Sequence, residues 1–144
     1  MAGTRRKARI MTMQSLYELD CANHDATRTL ERLLKESSFP EDASDFARET
    51  LKGVLDKKPD LDQTILTYAP NWPVEQLSPI DRNILRIALF EILFNNITPP
   101  KAAINEAVEL AKSFGSESSP KFVNGVLGSV LAKSTNQRIT SHRR

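Results

Sequence analysis

Four of the five residues at positions 5–9 are cationic: Arg5, Arg6, Lys7 and Arg9. The spacing of the apolar residues that follow places this basic cluster at the start of a long helix. Cations are unfavourable there by up to about 1 kcal/mol, because the helix dipole already puts partial positive charge at its N-terminus. A bound polyanion would reverse the sign of that effect. The cluster therefore predicts a nucleic-acid contact, and the alternative is an end of the chain that is merely solvated.

The charge of the chain is divided along its length. The whole sequence has 20 Lys and Arg residues against 18 Asp and Glu residues, a net charge of +2. Residues 1–9 hold four cations and no acid, and residues 133–144 hold four more cations, again with no acid. The interval 10–132 contains the other 12 cations and all 18 acids, a net charge of −6. Two basic tails flanking an acidic body suggest a localised surface for a polyanion, although the C-terminal tail could equally be a frayed, solvated end.

The first helix carries a second stripe in line with the cluster. On a helical wheel, an arginine, two apolar residues and an aromatic residue lie opposite the expected core face: Arg6, Ile10, Met13 and Tyr17. Such a stripe could stack a base and neutralise its phosphate, which is how single-stranded RNA is usually bound. Gln14, beside the stripe, could hydrogen-bond a base edge or be solvated. The alternative is a helix buried on both sides, and Tyr17 could equally pack against a protein partner.

Helical periodicity runs through the whole chain, and no segment alternates with the period of a strand. The predicted fold is therefore all-α. The proline-rich run at residues 69–73 interrupts the pattern and is expected to divide the chain into helical halves, at about residues 4–70 and 73–133. A basic tail at residues 134–144 follows the second half.

Several helix boundaries can be assigned from single residues. Asp25 and Ser78 are good N-caps, with Pro79 after Ser78 at the first helical position, and Pro59 suits a helix start of its own. Residues 80–94 have apolar side chains all around the axis, which predicts a buried central helix.

The next two helices are expected to differ from the central one. The helix that opens at 98–100 should turn Phe114 inward and be capped by Gly115. In the last helix, Gly125 and Gly128 each cost about 1 kcal/mol relative to alanine. That cost suggests the close approach of a neighbouring helix, which we favour, or of an RNA strand.

Four segments make the chain similar to the NusB transcription antitermination family. Residues 101–115 (KAAINEAVELAKSFG) and 121–127 (KFVNGVL) carry the closest likeness. Residues 80–91 (IDRNILRIALFE), and the basic cluster with 14–17 (QSLY), match in the same order and spacing. The resemblance spans residues 5 to about 132. It implies a bacterial protein of about seven helices in two packed bundles, with residues 1–144 forming a single NusB-like RNA-binding domain.

The resemblance also implies partners and site residues. It implies binding of boxA-type RNA in rRNA leader transcripts together with the small-subunit ribosomal protein NusE, which helps the RNA polymerase antitermination complex read through terminators. The RNA contacts would be Arg5, Arg6, Lys7, Arg9, Gln14, Lys121 and Phe122. Tyr17 and Asp81 would face the protein partner. Ser118 and Ser119 depart from the family's more usual acidic-then-small pattern, and Gly128 stands where many relatives have Asp.

The remaining residues argue against catalysis, metals and membranes. His24 and His142 are not at ligand spacing from each other or from Cys21, no glycine-rich phosphate loop occurs, and carboxylates such as Glu106 are expected to be solvated. We therefore expect a non-enzyme without cofactor or metal. The single cysteine favours a reducing, cytoplasmic compartment. The polar residues after the basic cluster argue against a signal peptide, and no apolar stretch reaches the ~20 residues of a membrane span.

Three other functions are compatible with parts of the sequence. NusB-like domains also occur joined to rRNA methyltransferases, but the chain is expected to be too short for that second domain. A helix-turn-helix DNA regulator would need a basic recognition helix after a short turn, whereas the helices here that follow turns are acidic or apolar. A homodimeric, protein-only scaffold is not excluded by the sequence.

Overall fold

The described residues, 2–69 and 74–142 in a computed structural model, contain six α-helices and no strand, which confirms the predicted all-α fold; side chains are described for 3–69 and 74–133. The helices are α1 (Ala2–Ala22), α2 (Ala26–Glu36), α3 (Glu41–Tyr68), α4 (Pro79–Phe90), α5 (Pro100–Phe114) and α6 (Ser119–His142). A 3-10 turn at Val74–Gln76 precedes α4, and a π-helical turn at Glu91–Asn95 extends it. Most of the predicted interruption at 69–73 and the end of the basic tail lie outside the described residues.

The predicted N-caps of α2 and α4 are confirmed. The Asp25 carboxylate accepts a hydrogen bond from the backbone N–H of Arg28 at 3.2 Å. The Ser78 hydroxyl accepts one from the N–H of Asp81 at 3.0 Å, and Pro79 follows in the first turn of α4. Each cap satisfies a backbone donor that the helix itself leaves unpaired.

The predicted helix start at Pro59 is wrong, because α3 runs through this residue for 28 residues without a break. Proline inside a helix costs about 3 kcal/mol or more. Pro59 itself is exposed, whereas Leu51 and Val54 before it and Leu61 and Ile65 after it are all buried. Burying each large aliphatic side chain contributes about 1.5–3 kcal/mol, so the continuous apolar stripe outweighs the proline.

Helix α4 is the centre of the fold, as its sequence predicts. It packs against α1, α3, α5 and α6. Its aliphatic residues Ile84, Leu85 and Leu89 have no solvent-exposed surface. The all-round burial ends at the π-helical turn, where Phe94 is 40% exposed and Asn96 adopts a left-handed backbone conformation with φ of 58°.

The C-terminal end of α5 differs from its prediction in two respects. Phe114, predicted to face the core, is 43% exposed. Gly115 does cap α5, yet with φ of −89° rather than in the left-handed conformation usual for a C-cap glycine. Its small size is needed because a Cβ atom there would lie 2.5 Å from the Ser119 side chain, whose hydroxyl accepts a hydrogen bond from the Ser116 N–H at 2.9 Å.

The glycines of α6 do not lie against a neighbouring helix. A Cβ atom added at Gly125 or Gly128 would meet no described atom within 4 Å, so the interpretation favoured from the sequence is wrong. The glycine that close packing does require is Gly53 in α3. A Cβ atom there would overlap the ring of Phe90, which itself stacks on Phe94.

Substituting these glycines should therefore change stability in opposite directions. Gly53→Ala should lower the free energy of unfolding by about 1–3 kcal/mol, because the Phe90 ring must move to admit a methyl group. Gly128→Ala should raise it by up to about 1 kcal/mol, because alanine is the better helix former and the site is open. Urea unfolding of both variants measures the difference, and the same sign of change in both would contradict this account of the packing.

Candidate nucleic-acid interface

The four cations of the basic cluster have different environments in the structure. Arg5, Arg6 and Lys7 are exposed near the start of α1, whose first turn contains no acid. Arg9 is buried, with only 4% of its surface exposed. The expectation that all four face a nucleic acid is therefore wrong for Arg9, whose side chain is directed to the protein interior.

Arg9 joins α1 to the end of the central helix. Its Nε donates to Glu91 Oε2 at 2.9 Å and its Nη2 to Glu91 Oε1 at 2.7 Å, which is a bidentate ion pair. Nη2 also donates to the hydroxyl of Thr98 at 3.3 Å. Both charged side chains are at least 95% buried, at 5% and 2% exposure. Arg9 thus fixes the position of the residues around it, and a phosphate could not reach it without breaking this pair.

Phe46 of α3 supports two members of the cluster from below. The guanidinium carbon of Arg5 lies 4.5 Å from the centre of its ring, and that of Arg9 lies 5.0 Å from the same centre. Cations on an aromatic face are stabilised by about 0.5–2 kcal/mol. Since Phe46 is buried and Arg5 exposed, the ring holds the Arg5 guanidinium at the surface.

Arg6 is paired with Glu106 of α5. Its Nε and Nη2 donate to the two carboxylate oxygens of Glu106, each at 2.9 Å. The hydrogen bond from Arg6 outweighs the opposing effect of partial burial and lowers the pKa of Glu106. The expectation of a solvated Glu106 is therefore wrong, and the charge of Arg6 is compensated within the protein. Among the described side chains, Arg5 and Lys7 are the cluster cations that form no ion pair.

The predicted stripe along α1 is exposed only in part. Met13 is 3% exposed and belongs to the core, so the expected continuous surface is wrong at that position. Ile10 packs partly against the core, whereas Tyr17 is 38% exposed. Gln14 is exposed and its amide donates to Glu18 at 3.3 Å. The middle of α1 is buried on both sides, because α2, α3 and α4 all pack against this helix.

Lys121 and Phe122 lie near the start of α6. Lys121 is exposed, and Phe122 is partly buried against the core, as its position at the edge of the apolar stripe predicts. Helix α5 contacts both segments, since it packs along α6 and carries the Glu106 that binds Arg6.

Asp81, predicted to face a protein partner, has an unusual environment. Its Oδ1 atom is buried and accepts no hydrogen bond from the described residues. A buried carboxylate oxygen without a donor costs about 1–3 kcal/mol or more, and a donor from another molecule could relieve this cost only if the side chain turned outward.

A polar network that the sequence analysis missed lies along α1, α4 and α3. Asp20 Oδ2 accepts hydrogen bonds from Arg82 and Asn83, both at 2.9 Å, and from Arg86 at 3.1 Å. Arg86 also forms a bidentate pair with Asp62 of α3, at 2.8 and 3.0 Å. Burial alone would raise the pKa of Asp20, but the hydrogen bonds from Arg82 and Asn83 and the charge of Arg86 lower it overall. The available signal was the presence of Asn83 and Arg86 within the apolar central helix.

The described residues contain no group of three or more His, Cys, Asp and Glu side chains placed to hold a metal ion. His24 lies at the surface, with Nδ1 at 3.0 Å from the Glu18 carboxylate. None of the helices, as far as the structure describes them, is long and apolar enough to cross a membrane.

Comparisons with known proteins agree with this geometry. The sequence matches the NusB family over residues 6–132. It is 52% identical to the transcription antitermination protein NusB of Dehalococcoides mccartyi strain CBDB1, over 96% of this chain and 99% of the relative. It is 42% identical to the protein of that name from Myxococcus xanthus strain DK1622, over 89% of this chain and 94% of the relative.

Solved structures give the same result for the fold. T. maritima NusB is 35% identical to this chain in sequence, and its structure matches with a TM-score of 0.81 over 88% of this chain and 89% of that one. A structure of the antitermination factors NusB and NusE in complex with dsRNA is 24% identical, with a TM-score of 0.81 over 90% of this chain and 97% of that one.

Breaking the Arg9–Glu91 pair should destabilise the protein far more than removing an exposed cation. Arg9→Ala should lower the free energy of unfolding by about 3–5 kcal/mol, because Glu91 is then a buried charge without its partner. Lys7→Ala, the matched control in the same helix, should change it by less than about 0.5 kcal/mol. Denaturant unfolding monitored by helical circular dichroism measures both. Equal, small effects would show that the pair contributes little to the fold.

Proposed function

Because the chain belongs to the NusB family, we propose that it is a transcription antitermination factor that binds boxA-type single-stranded RNA in rRNA leader transcripts together with NusE. In this proposal the pair promotes read-through by the RNA polymerase antitermination complex. The observation that carries the RNA-binding part is the exposed cationic end of α1, where Arg5 and Lys7 have no described carboxylate partner. The alternative use of the same domain, as the RNA-binding module of a methyltransferase, also depends on this surface.

The cations of the cluster would then act in different ways. Arg5 and Lys7 would contact phosphates directly. Arg6 would add a phosphate contact through Nη1, while its Nε and Nη2 remain hydrogen-bonded to Glu106. Arg9 would position the surface without contacting RNA. Gln14, Lys121 and Phe122 remain proposed contacts, with the ring of Phe122 available to a base on its exposed side.

The proposed protein partner would bind at a different surface from the RNA. The NusB and NusE structure similar to this chain contains both proteins with dsRNA. For this chain we propose that NusE contacts Tyr17, which is partly exposed, and Asp81, whose buried Oδ1 lacks a donor. A homodimer that covers the same aromatic residue is the competing arrangement.

Phosphate binding by Arg5 and Lys7 should appear in the salt dependence of RNA affinity. Each phosphate contact that is lost should reduce the slope of log K against log salt by roughly 0.7 for a single strand. Arg5→Gln and Lys7→Gln should each weaken binding and flatten this slope, whereas Lys35→Gln, exposed on α2, should change neither. Fluorescence anisotropy with labelled boxA RNA over a salt series measures the slopes. An unchanged slope in both cluster variants would remove the basic cluster from the RNA site, and a duplex control tests the preference for a single strand.

Joint binding predicts that NusE and RNA strengthen each other's affinity. A single small cationic surface must offset the cost of ordering an RNA strand, whereas a strand that spans two proteins gains contacts after much of that cost is met. We therefore expect boxA RNA to bind the pair more tightly than this protein alone. By linkage, RNA should raise the affinity for NusE by the same factor. Calorimetry of all four steps measures the coupling, and equal RNA affinities for the protein and the pair would contradict it.

Asp81→Lys provides the matching control for this cycle. It should weaken NusE binding while leaving RNA binding by the protein alone unchanged, because Asp81 lies outside the basic cluster. A loss of both affinities together with a lower melting temperature would assign Asp81 a structural role instead.

A further inference from the structure

A pocket of about 240 Å³ opens beside the basic cluster, between α1 and the segment that leads into α5. Its apolar walls come from Ile97, Pro99 and Ala102, and its polar groups include Arg5, Thr98 and Glu106. Ile97 is 54% exposed, the highest value among the exposed large apolar residues of the described chain. The pocket therefore combines an exposed aliphatic side chain with Arg5, which forms no ion pair with the described residues, so a ligand bound here would bury apolar surface and meet positive charge.

We propose that this pocket receives one unpaired nucleobase of the bound RNA, with a preference for bases that carry an exocyclic amino group over uracil. The proposal rests on the proposed function, because the strand must be held by the phosphate contacts of Arg5 and Lys7. It goes further by naming where sequence is read, since phosphate contacts alone carry no sequence information.

The size and walls of the pocket suit a single base. Pockets for drug-sized ligands measure about 300–1,000 Å³, so this smaller one matches one ring system rather than a larger ligand. The Arg5 guanidinium lies 4.5 Å from the centre of the Phe46 ring and the residue is exposed, so the ring holds a guanidinium beside the pocket. Bases splayed from single-stranded RNA stack on guanidinium planes, and Ile97 and Pro99 offer apolar contact.

The polar groups indicate which base edge is preferred. Each Glu106 oxygen accepts one hydrogen bond from Arg6 at 2.9 Å, which leaves acceptor capacity for a further donor. The lowered pKa of Glu106 keeps the carboxylate ionised at neutral pH, so it accepts and does not donate. It therefore attracts an amino group and repels both a phosphate and the carbonyl oxygens of uracil.

Thr98 supplies the complementary donor. Its oxygen accepts the hydrogen bond from Arg9 Nη2 at 3.3 Å, which leaves the hydroxyl hydrogen free to donate. A donor beside an acceptor matches the amino group and adjacent ring nitrogen of adenine or cytosine. Uracil can also offer its N3–H to the carboxylate, but carbonyl oxygens flank that N–H on both sides, and the Glu106 carboxylate repels them. Arg9, held by Glu91, thereby fixes the polar side of the pocket although it lies beneath the RNA surface.

The test uses the full chain and short oligouridines with one central adenosine, cytidine, uridine or abasic nucleotide. We expect adenosine or cytidine to raise affinity over uridine by at least about fivefold, the lower range for a base contact with two hydrogen bonds. The abasic strand should bind no better than the uridine strand. Ile97→Ser should reduce affinity for the adenosine strand several-fold. Leu66→Ser, the matched control at a 44% exposed leucine on α3, should not change it.

Glu106→Gln separates base reading from phosphate binding. The amide can donate as well as accept, so the preference for adenosine or cytidine over uridine should shrink. The affinity for the uridine strand should be kept or increased, because a negative charge beside the phosphates is removed. Full selectivity in this variant would overturn the assignment of Glu106.

The outcomes distinguish the pocket from the proposed function. If these RNAs bind in a salt-dependent, Lys7-sensitive manner but all four strands bind equally and Ile97→Ser behaves like Leu66→Ser, the pocket proposal is overturned and the RNA-binding function stands. Absence of Lys7-sensitive RNA binding by the protein, alone and with NusE, overturns both. If Ile97→Ser weakens only NusE binding, the pocket is a protein contact and the nucleobase proposal is wrong.

Discussion

The buried ion pair between Arg9 and Glu91 determines how the basic end of α1 sits on the rest of the molecule. Two charges removed from water cost several kcal/mol each, and this cost is met only with close geometry and further hydrogen bonds. Arg9 meets both conditions, with bonds of 2.9 and 2.7 Å to Glu91, a third to Thr98, and the Phe46 ring against its guanidinium. The pair and its bond to Thr98 join α1, the C-terminal end of α4 and the segment that precedes α5. Every proposed RNA contact near the cluster is placed by that junction.

A run of similar cations is thereby divided into different roles by its surroundings. The helix turns Arg9 inward to Glu91 and brings Arg6 to Glu106, while Arg5 rests on Phe46 and Lys7 remains in solvent. The cost of four cations at a helix N-terminus is consequently smaller than the sequence suggests, because two of them are neutralised within the protein. The cations left for a polyanion are the unpaired Arg5 and Lys7, with Arg6 beside them in its pair with Glu106. Such a surface favours weak binding alone and tighter binding with a partner that extends it.

The fold could be predicted further than the site, for physical reasons. Local signals decide caps and periodicity, so Asp25, Ser78 and the central helix follow from the sequence, and the resemblance to NusB supplied the family. Pro59 could not be placed in the same way, because the stripe that outweighs it is buried by other helices. The same limit applies to Arg9 and Met13: their burial depends on partners 82 residues away in the first case and on three packed helices in the second. The prediction of close packing at Gly125 and Gly128 was wrong for a different reason, since a glycine is compatible with open space as readily as with close packing.

Acids beside the cluster would then do more than reduce its charge. Glu106 is placed where it pairs with Arg6, lies 3.8 Å from Arg9, and also borders the pocket under Ile97. A carboxylate at this point lowers the attraction for any phosphate that approaches nonspecifically, because like charges repel. In the proposed pocket it also offers an acceptor to the amino group of adenine or cytosine, without flanking carbonyl oxygens that it would repel. In this proposal, weaker nonspecific binding and stronger discrimination between bases have a common origin in one acidic side chain, so that a small cationic surface can be selective.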